Sequence, residues 1–177
     1  ISFRESVVNV ESLFLRPKQP IPERLSACVI LELERKQMAS EDLKAVVDLK
    51  STDLFVGHTP SGHSVLLDTD HERNSAPTPM ELLLVALGSC TAVDVVSILR
   101  KKRQAVSAYR VEVRGERRDE HPRSYKRMKV HHIVTGRNIS EQSVAQAIQL
   151  SEEKYCSVAA TLRPTTEIVS SFEIIEG

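Results

Sequence analysis

Short apolar runs separated by turn residues begin the regular part of the chain at residue 43. Residues 43–49, 54–57 and 63–67 are rich in Val and Leu, and the stretches between them carry Ser, Thr, Asp, Pro and Gly. Apolar runs of this length between such breaks are typical of β-strands joined by turns. The pattern predicts a three-stranded meander.

The clearest helix start in the chain follows a polar loop at residues 68–76. Thr78 stands where an N-cap is expected, Pro79 takes the first helical position, and Glu81 takes the third. This is a capping box, with proline at a position where its missing N–H costs nothing. We expect the helix to run to about Arg103.

This helix is apolar on nearly every face between residues 80 and 99, with Asp94 as the one charge in its interior turns. A helix of that composition is typically buried by its neighbours on all sides, so we expect it to form the core. Its most apolar run, residues 82–93, ends at Asp94 and is shorter than the roughly 18–20 apolar residues that a spanning helix needs. We therefore expect no membrane span.

Two longer strands are predicted at residues 109–117 and 126–135, where apolar and polar residues alternate. A polar turn at residues 118–123 separates them. In the second strand the alternation places four side chains on one face: Met128, Val130, His132 and Val134.

A second helix, capped by Ser140, is predicted to end near Cys156. A short helix over residues 157–162 and a β-branched final strand over residues 165–175 follow it. The resulting order, β-β-β-α-β-β-α-β, describes an α+β protein.

The first 37 residues differ from the rest. They carry three of the eight prolines and show no sustained periodicity, and at most one short helix, over residues 22–36, can be read in them. We interpret residues 1–37 as a poorly structured N-terminal extension and residues 38–177 as one folded domain, which is the number that this length favours.

Charge and composition exclude several classes of protein. The 24 basic and 24 acidic residues cancel, aromatics are only 4%, and Trp is absent, so neither a nucleic-acid partner nor a membrane surface is expected. Three cysteines without regular spacing do not form the framework of a disulfide-rich secreted domain. A reducing compartment fits better, and we expect a cytoplasmic protein.

The chemistry-bearing residues that stand out are Cys90 and Cys156. A free cysteine inside an apolar helix is often simply a small buried hydrophobe, and Cys90 lies about three turns beyond the N-cap, out of reach of the helix dipole. Cys156 would stand at the start of the short helix, where free N–H groups stabilise a thiolate. Sequence alone leaves open whether the two thiols meet.

Asp94 lies four residues after Cys90, one turn away on the same face. A carboxylate at that position opposes thiolate formation unless a cation such as Arg100 or Lys101 neutralises it. The alternative is a structural carboxylate with hydrogen bonds of its own.

A zinc site built from the cysteines and His131 or His132 lacks any close-spaced ligand pair. Adjacent residues on a strand also point to opposite faces, so these two histidines cannot share one metal. We expect no metal and no other cofactor.

Two segments together resemble the OsmC/Ohr family of thiol peroxidases. They are residues 77–90, PTPMELLLVALGSC, and residues 153–158, EKYCSV. The resemblance covers residues 43–175 and leaves residues 1–37 unmatched. Within the family the chain is most similar to the YhfA-like branch, which shares a segment like AVDVVSIL at residues 92–99.

The resemblance implies an OsmC-like fold in an intertwined homodimer, with sites at the subunit interface. It also implies that Cys90 attacks a hydroperoxide and that Cys156 resolves the product, with an external dithiol as reductant. Glu81 and Asp94 are candidate supporting residues. Family enzymes place a glutamate directly after the helix-start proline, where this chain has Met80, and an arginine in an early strand loop, where residues 43–70 contain none.

We therefore expect a thiol-dependent protein that reduces organic hydroperoxides or related peroxides in oxidative stress defence. The alternative is a non-enzymatic protein that binds a small hydrophobic or electrophilic ligand at its dimer interface. Retention of both cysteines favours the first function, and the missing arginine and glutamate favour the second.

Overall fold

The computed structural model of the protein describes residues 43–177. The short helix predicted over residues 22–36 and the cysteine at position 28 lie outside the described residues. The proposed division between an extension and a domain at residues 37 and 38 lies there too, and it stays a prediction.

The predicted meander is present as an antiparallel sheet in the order β1-β2-β3. Its strands are β1 (Val46–Ser51), β2 (Leu54–His58) and β3 (Ser64–Asp68). Apolar side chains of β1 are left exposed within one chain: Val47 is 61% and Leu49 is 65% accessible.

The long helix, α1 (Pro79–Lys101), starts as its capping box predicts. The Thr78 side chain accepts a hydrogen bond from the Glu81 amide, and the Glu81 carboxylate accepts one from the Thr78 amide. The helix ends about two residues earlier than expected. Lys102 is its C-cap, and Arg103 has φ 56°, a left-handed conformation that cannot continue an α-helix.

A second three-stranded sheet has the order β4-β5-β6. It consists of β4 (Ala105–Arg117), β5 (Tyr125–Arg137) and β6 (Glu167–Glu176), with β4 antiparallel and β6 parallel to β5. The face predicted for β5 is confirmed, because all four of its side chains are at most 2% exposed: Met128, Val130, His132 and Val134.

The connection from β5 to β6 is helical, as a parallel pairing requires. Ser140 caps α2 (Glu141–Leu150) by accepting a hydrogen bond from the Ser143 amide. The predicted second helix continues beyond α2 as a π-helical turn (Ser151–Tyr155), and α3 (Ser157–Leu162) follows. The α+β class and the predicted element order are confirmed, with the π-helical turn as the one irregular insertion.

The core forms two apolar clusters along α1. The first contains Leu87, Tyr125, Met128, Val130, Cys156 and Ala159. The second contains Val95, Leu99, Val134, Val144, Ala147 and Ile148. Between Leu87 and Val95 on α1 lies buried Thr91, whose hydroxyl is 3.1 Å from that of buried Ser151. This hydroxyl pair separates the clusters.

Burial of α1 within residues 43–177 is confined to one stripe of the helix. Only every fourth side chain is buried, namely Leu87, Thr91, Val95 and Leu99, while Val85 is 62% and Val93 is 71% exposed. Neighbours among the described residues cover one stripe of the helix and leave the opposite apolar face open.

By length and composition α1 could cross a bilayer, with a mean hydropathy of 2.2 over 18 residues. The expectation that ended the apolar run at Asp94 is too restrictive, because the helix continues beyond that charge through residues 95–99, four of which are apolar. Its packing against β4, α2 and α3 makes α1 an integral element of a mixed α+β domain.

Candidate thiol site

The structure brings together Cys90, Cys156 and Asp94. The two sulfurs and a carboxylate oxygen of Asp94 all lie within 4.8 Å of one another, and both cysteines are free thiols. Cys90 and Asp94 come from successive turns of α1, and Cys156 comes from the junction between the π-helical turn and α3. The thiols that the sequence could not place together are therefore neighbours.

Close packing of α1 on β4 brings the helix into this position. A Cβ added at Gly88 would lie 3.0 Å from Cγ2 of Val113, tighter than ordinary van der Waals contact. Glycine thus lets the helix lie close against the strand two residues before Cys90. The Cys90 side chain is half-buried and packs against the first apolar cluster.

Cys156 is the N-cap of α3, and its sulfur accepts a hydrogen bond from the Ala159 amide at 3.4 Å. The residue is only 3% exposed. Burial, reinforced by the adjacent Cys90 and by the Asp94 charge, raises the pKa of the Cys156 thiol to about 11, although the Ala159 amide lowers it. The expected stabilisation of a thiolate by the helix start is present, but burial outweighs it.

Asp94 has a hydrogen-bond partner of its own. Ser151 donates its hydroxyl proton to the carboxylate at 3.0 Å, and Thr91 lies next in the same chain of polar groups. None of the ion pairs found within residues 43–177 includes Asp94, so neither Arg100 nor Lys101 neutralises it there. Of the two alternatives for this carboxylate, the hydrogen-bonded one agrees with the geometry.

Glu81, the other candidate supporting residue, lies apart from this cluster. Its carboxylate accepts hydrogen bonds from the amide and hydroxyl of Thr78, and those bonds hold its pKa below the usual range. Nine residues of helix, roughly 13 Å at 1.5 Å per residue, separate it from Cys90 along the axis. The structure gives Glu81 a capping contact and no contact with the thiols.

The two histidines point to opposite faces of β5, as expected. His132 is fully buried, its Nδ1 lies 2.5 Å from the Tyr109 hydroxyl, and burial lowers its pKa to about 4. His131 pairs with the Ser171 hydroxyl on the exposed face. Neither belongs to the group formed by the cysteines and Asp94.

An ion pair in the loop after β3 was not foreseen from the sequence. Arg73 donates two hydrogen bonds to buried Asp68, at 2.9 and 2.7 Å, and the Arg73 and Ser75 contacts hold the pKa of Asp68 far below its usual range. The only signal was an Asp and an Arg five residues apart in a polar loop. Arg73 lies just after residues 43–70, the stretch in which family enzymes place an activating arginine. Its guanidinium is hydrogen-bonded to Asp68.

A family model described as OsmC-like protein matches residues 71–171, which is more than half of the chain. The chain belongs to the OsmC family. Protein YhfA of Escherichia coli (strain K12) is an OsmC relative that is 46% identical over 121 residues, covering 68% of this chain and 90% of that protein.

Solved structures agree with this OsmC assignment. A hypothetical protein from Aquifex aeolicus VF5 is 35% identical and superposes with a TM-score of 0.69, covering 77% of this chain and 98% of that one. An organic hydroperoxide resistance protein OsmC from Legionella pneumophila shares the fold at 12% identity, with a TM-score of 0.57 over 76% of this chain and 98% of that one. The predicted family and OsmC-like fold are confirmed.

Proposed function

We propose that this OsmC-family protein reduces organic hydroperoxides with Cys90 as the attacking thiol and Cys156 as the resolving thiol. One observation carries the proposal: two free thiols from distant parts of the chain lie within 4.8 Å of each other. Their unequal exposure supports the assignment of roles, because half-buried Cys90 is open to a substrate and Cys156 is 3% exposed.

The proposed steps balance. The Cys90 sulfur attacks the distal peroxide oxygen and cleaves the O–O bond, giving a sulfenic acid and an alcohol. The Cys156 thiol then condenses with the sulfenic acid, which forms the disulfide and releases water. An external dithiol reduces the disulfide by thiol–disulfide exchange and becomes a disulfide itself.

The same proposal includes an intertwined homodimer in the cytoplasm. The exposed apolar face of α1, with Val85 and Val93, and the exposed side chains of β1 are the surfaces that a second copy would cover. In a symmetric dimer, both of these surfaces would be buried against the other subunit. Residues 1–37 are proposed to lie outside this folded unit.

Turnover at neutral pH is expected to be slow. Within residues 43–177, none of the groups that shift the pKa of Cys156 is a cation. A Cys156 thiolate beside a second thiol and a carboxylate therefore lacks the positive charge that usually activates a cysteine, which slows the resolving step.

The alternative, a non-enzymatic binding protein, is favoured by the grooves beside α1. One of about 570 Å³ is lined by Val93 and Arg100 among others, and one of about 390 Å³ by Val85 and Val113 among others. Neither is lined by Cys90 or Cys156. A small apolar ligand could thus be held without thiol chemistry.

Stoichiometric oxidation separates the two functions. One equivalent of cumene hydroperoxide should consume two thiols per chain, and peptide mapping should find a disulfide between Cys90 and Cys156. Cys156→Ser should stop at a sulfenic acid on Cys90, whereas Cys28→Ser, the matched control, should behave like the parent. Unchanged thiols would favour the binding function, and a dominant Cys28 linkage would refute the assigned pair.

A further inference from the structure

We propose that Cys90, Cys156 and Asp94 form a binding site for Zn²⁺ when the thiols are reduced. All three candidate donor atoms lie within 4.8 Å of one another. Tetrahedral zinc with bonds of about 2.3 Å to sulfur and about 2.1 Å to oxygen places its ligand atoms roughly 3.5–3.8 Å apart. The donor atoms would need to move only about 1 Å closer to one another, a change that small rotations of the side chains can supply.

The donor set suits zinc. Two thiolates with one carboxylate combine the soft and hard ligands that this borderline ion accepts, and three protein ligands leave a fourth position for water. Cys90 and Asp94 are both half-buried, so two of the three ligand residues are accessible to an incoming ion. Because no cation is paired with Asp94 within residues 43–177, a divalent ion would supply the positive charge that the group lacks.

Two of the candidate ligands accept hydrogen bonds from neighbouring groups, as metal ligands in proteins commonly do. Ser151 donates a hydrogen bond to one Asp94 oxygen and is itself 3.1 Å from the Thr91 hydroxyl, which orients the carboxylate. On the other side, the Ala159 amide donates to the Cys156 sulfur. Hydrogen bonds of this kind fix the orientation of a ligand and tune its affinity for the metal.

The backbone also presents the ligands from rigid elements. Cys90 and Asp94 are four residues apart on α1, the spacing that places two side chains on one helical face. Cys156 approaches from a separate element, at the start of α3. Asp94, and not either histidine, thus supplies the third ligand.

This inference does not rest on the proposed peroxide reduction. Zinc would occupy the lone pairs of both sulfurs and so protect them from oxidation, and formation of the disulfide would release the ion. Binding itself converts two thiols to thiolates and releases their two protons to the buffer.

Binding is tested with Zn²⁺ and with Co²⁺ as a spectroscopic probe, on the full-length, reduced, metal-free Cys28→Ser protein. We expect one ion per chain, thiolate-to-cobalt charge-transfer absorption, and release of about two protons per Zn²⁺ by calorimetry in buffers of different ionisation enthalpy. Cys90→Ser and Cys156→Ser should each reduce the charge-transfer absorption, and Ser151→Ala should weaken Zn²⁺ binding about 10–100-fold. Glu81→Gln, far from the cluster on the same helix, should bind like the parent.

A second measurement uses no variant of the proposed ligands, so it remains informative if those variants fail to fold. In the Cys28→Ser protein itself, Zn²⁺ should protect both remaining cysteines from iodoacetamide, as read by peptide mapping. The zinc site would be overturned if saturable binding with thiolate absorption were absent. It would also be overturned if the Cys90→Ser and Cys156→Ser variants bound Zn²⁺ as tightly as the parent protein does. None of these measurements involves peroxide, so a zinc-binding protein that does not consume hydroperoxide would overturn only the proposed function.

Discussion

Replacing Asp94 with Asn should lower the pKa of the Cys156 thiol and so speed the resolving step of peroxide reduction near neutral pH. Asn has almost the same shape and keeps an oxygen that can accept the hydrogen bond from Ser151, so the change removes charge and little else. Burial and the neighbouring Cys90 are the larger reasons for the raised pKa of Cys156, and the Asp94 charge adds to them. Removing that charge lowers the pKa from about 11 without restoring the ordinary value.

The size of the effect follows from Coulomb's law. A unit charge at 4.8 Å, the upper limit of the separations within the group, contributes about 0.9 kcal/mol at the dielectric constant of water and about 3.5 kcal/mol at an effective value of 20. The Asp94 charge is the smallest of the effects that shift the pKa of Cys156. We therefore expect the lower of these two energies, which corresponds to roughly 0.6 of a pKa unit, or about a fourfold gain in Cys156 thiolate. The step in which Cys156 resolves the sulfenic acid on Cys90 should accelerate by a similar few-fold factor.

The assay is the pH dependence of iodoacetamide alkylation, resolved for each cysteine by peptide mapping, together with cumene hydroperoxide consumption. Glu81→Gln is the matched control, since it removes a carboxylate from the same helix at a distance where salt screens the interaction. The reasoning is refuted if Asp94→Asn leaves the alkylation profile of Cys156 unchanged, or if both variants shift it equally. Loss of turnover in a folded Asp94→Asn protein would instead make the carboxylate a working part of the site.

Two further outcomes are expected. A chain lacking residues 1–37 should remain a homodimer by light scattering, because the exposed apolar face of α1 lies in the retained part; a well-folded monomer would contradict this. The raised pKa of Cys156 predicts a stability contribution that is full below the unfolded value near pH 9 and is lost as pH rises through about 11. Urea unfolding of reduced parent and Cys156→Ser should therefore diverge over that range, by at most about 3 kcal/mol, and parallel pH profiles would count against it.

The local elements could be predicted because their signals are local. The capping box at Thr78, the N-cap Ser140 and the alternation along β5 each lie within a few consecutive residues, and the structure has all three. The parts that could not be predicted depend on contacts between distant residues. Nothing in the sequence around Asp94 indicates that Ser151 donates a hydrogen bond to it.

The direction of the Cys156 pKa shift also could not be predicted from the sequence. Its position at a helix start could be read from the sequence and is correct, but the extent of its burial depends on packing against α1 and β5. Burial then determines the sign. Likewise, α1 has the composition of a core helix, but the part of one chain that the structure describes supplies neighbours for only one stripe of it.

The hydroxyl pair between the two apolar clusters has a consequence for where the thiols meet. The buried stripe of α1 repeats every four residues, so a slide of the helix by one turn would exchange one apolar side chain for another along most of its length. At Ser151 the same slide would replace Thr91 with Leu87 or Val95 and leave a buried hydroxyl without its partner, a cost of about 1–3 kcal/mol. The axial register of α1 is thus set by a polar contact one residue from Cys90, and the spacing between the two sulfurs depends on a threonine and a serine, neither of which is a reacting thiol or a proposed zinc ligand.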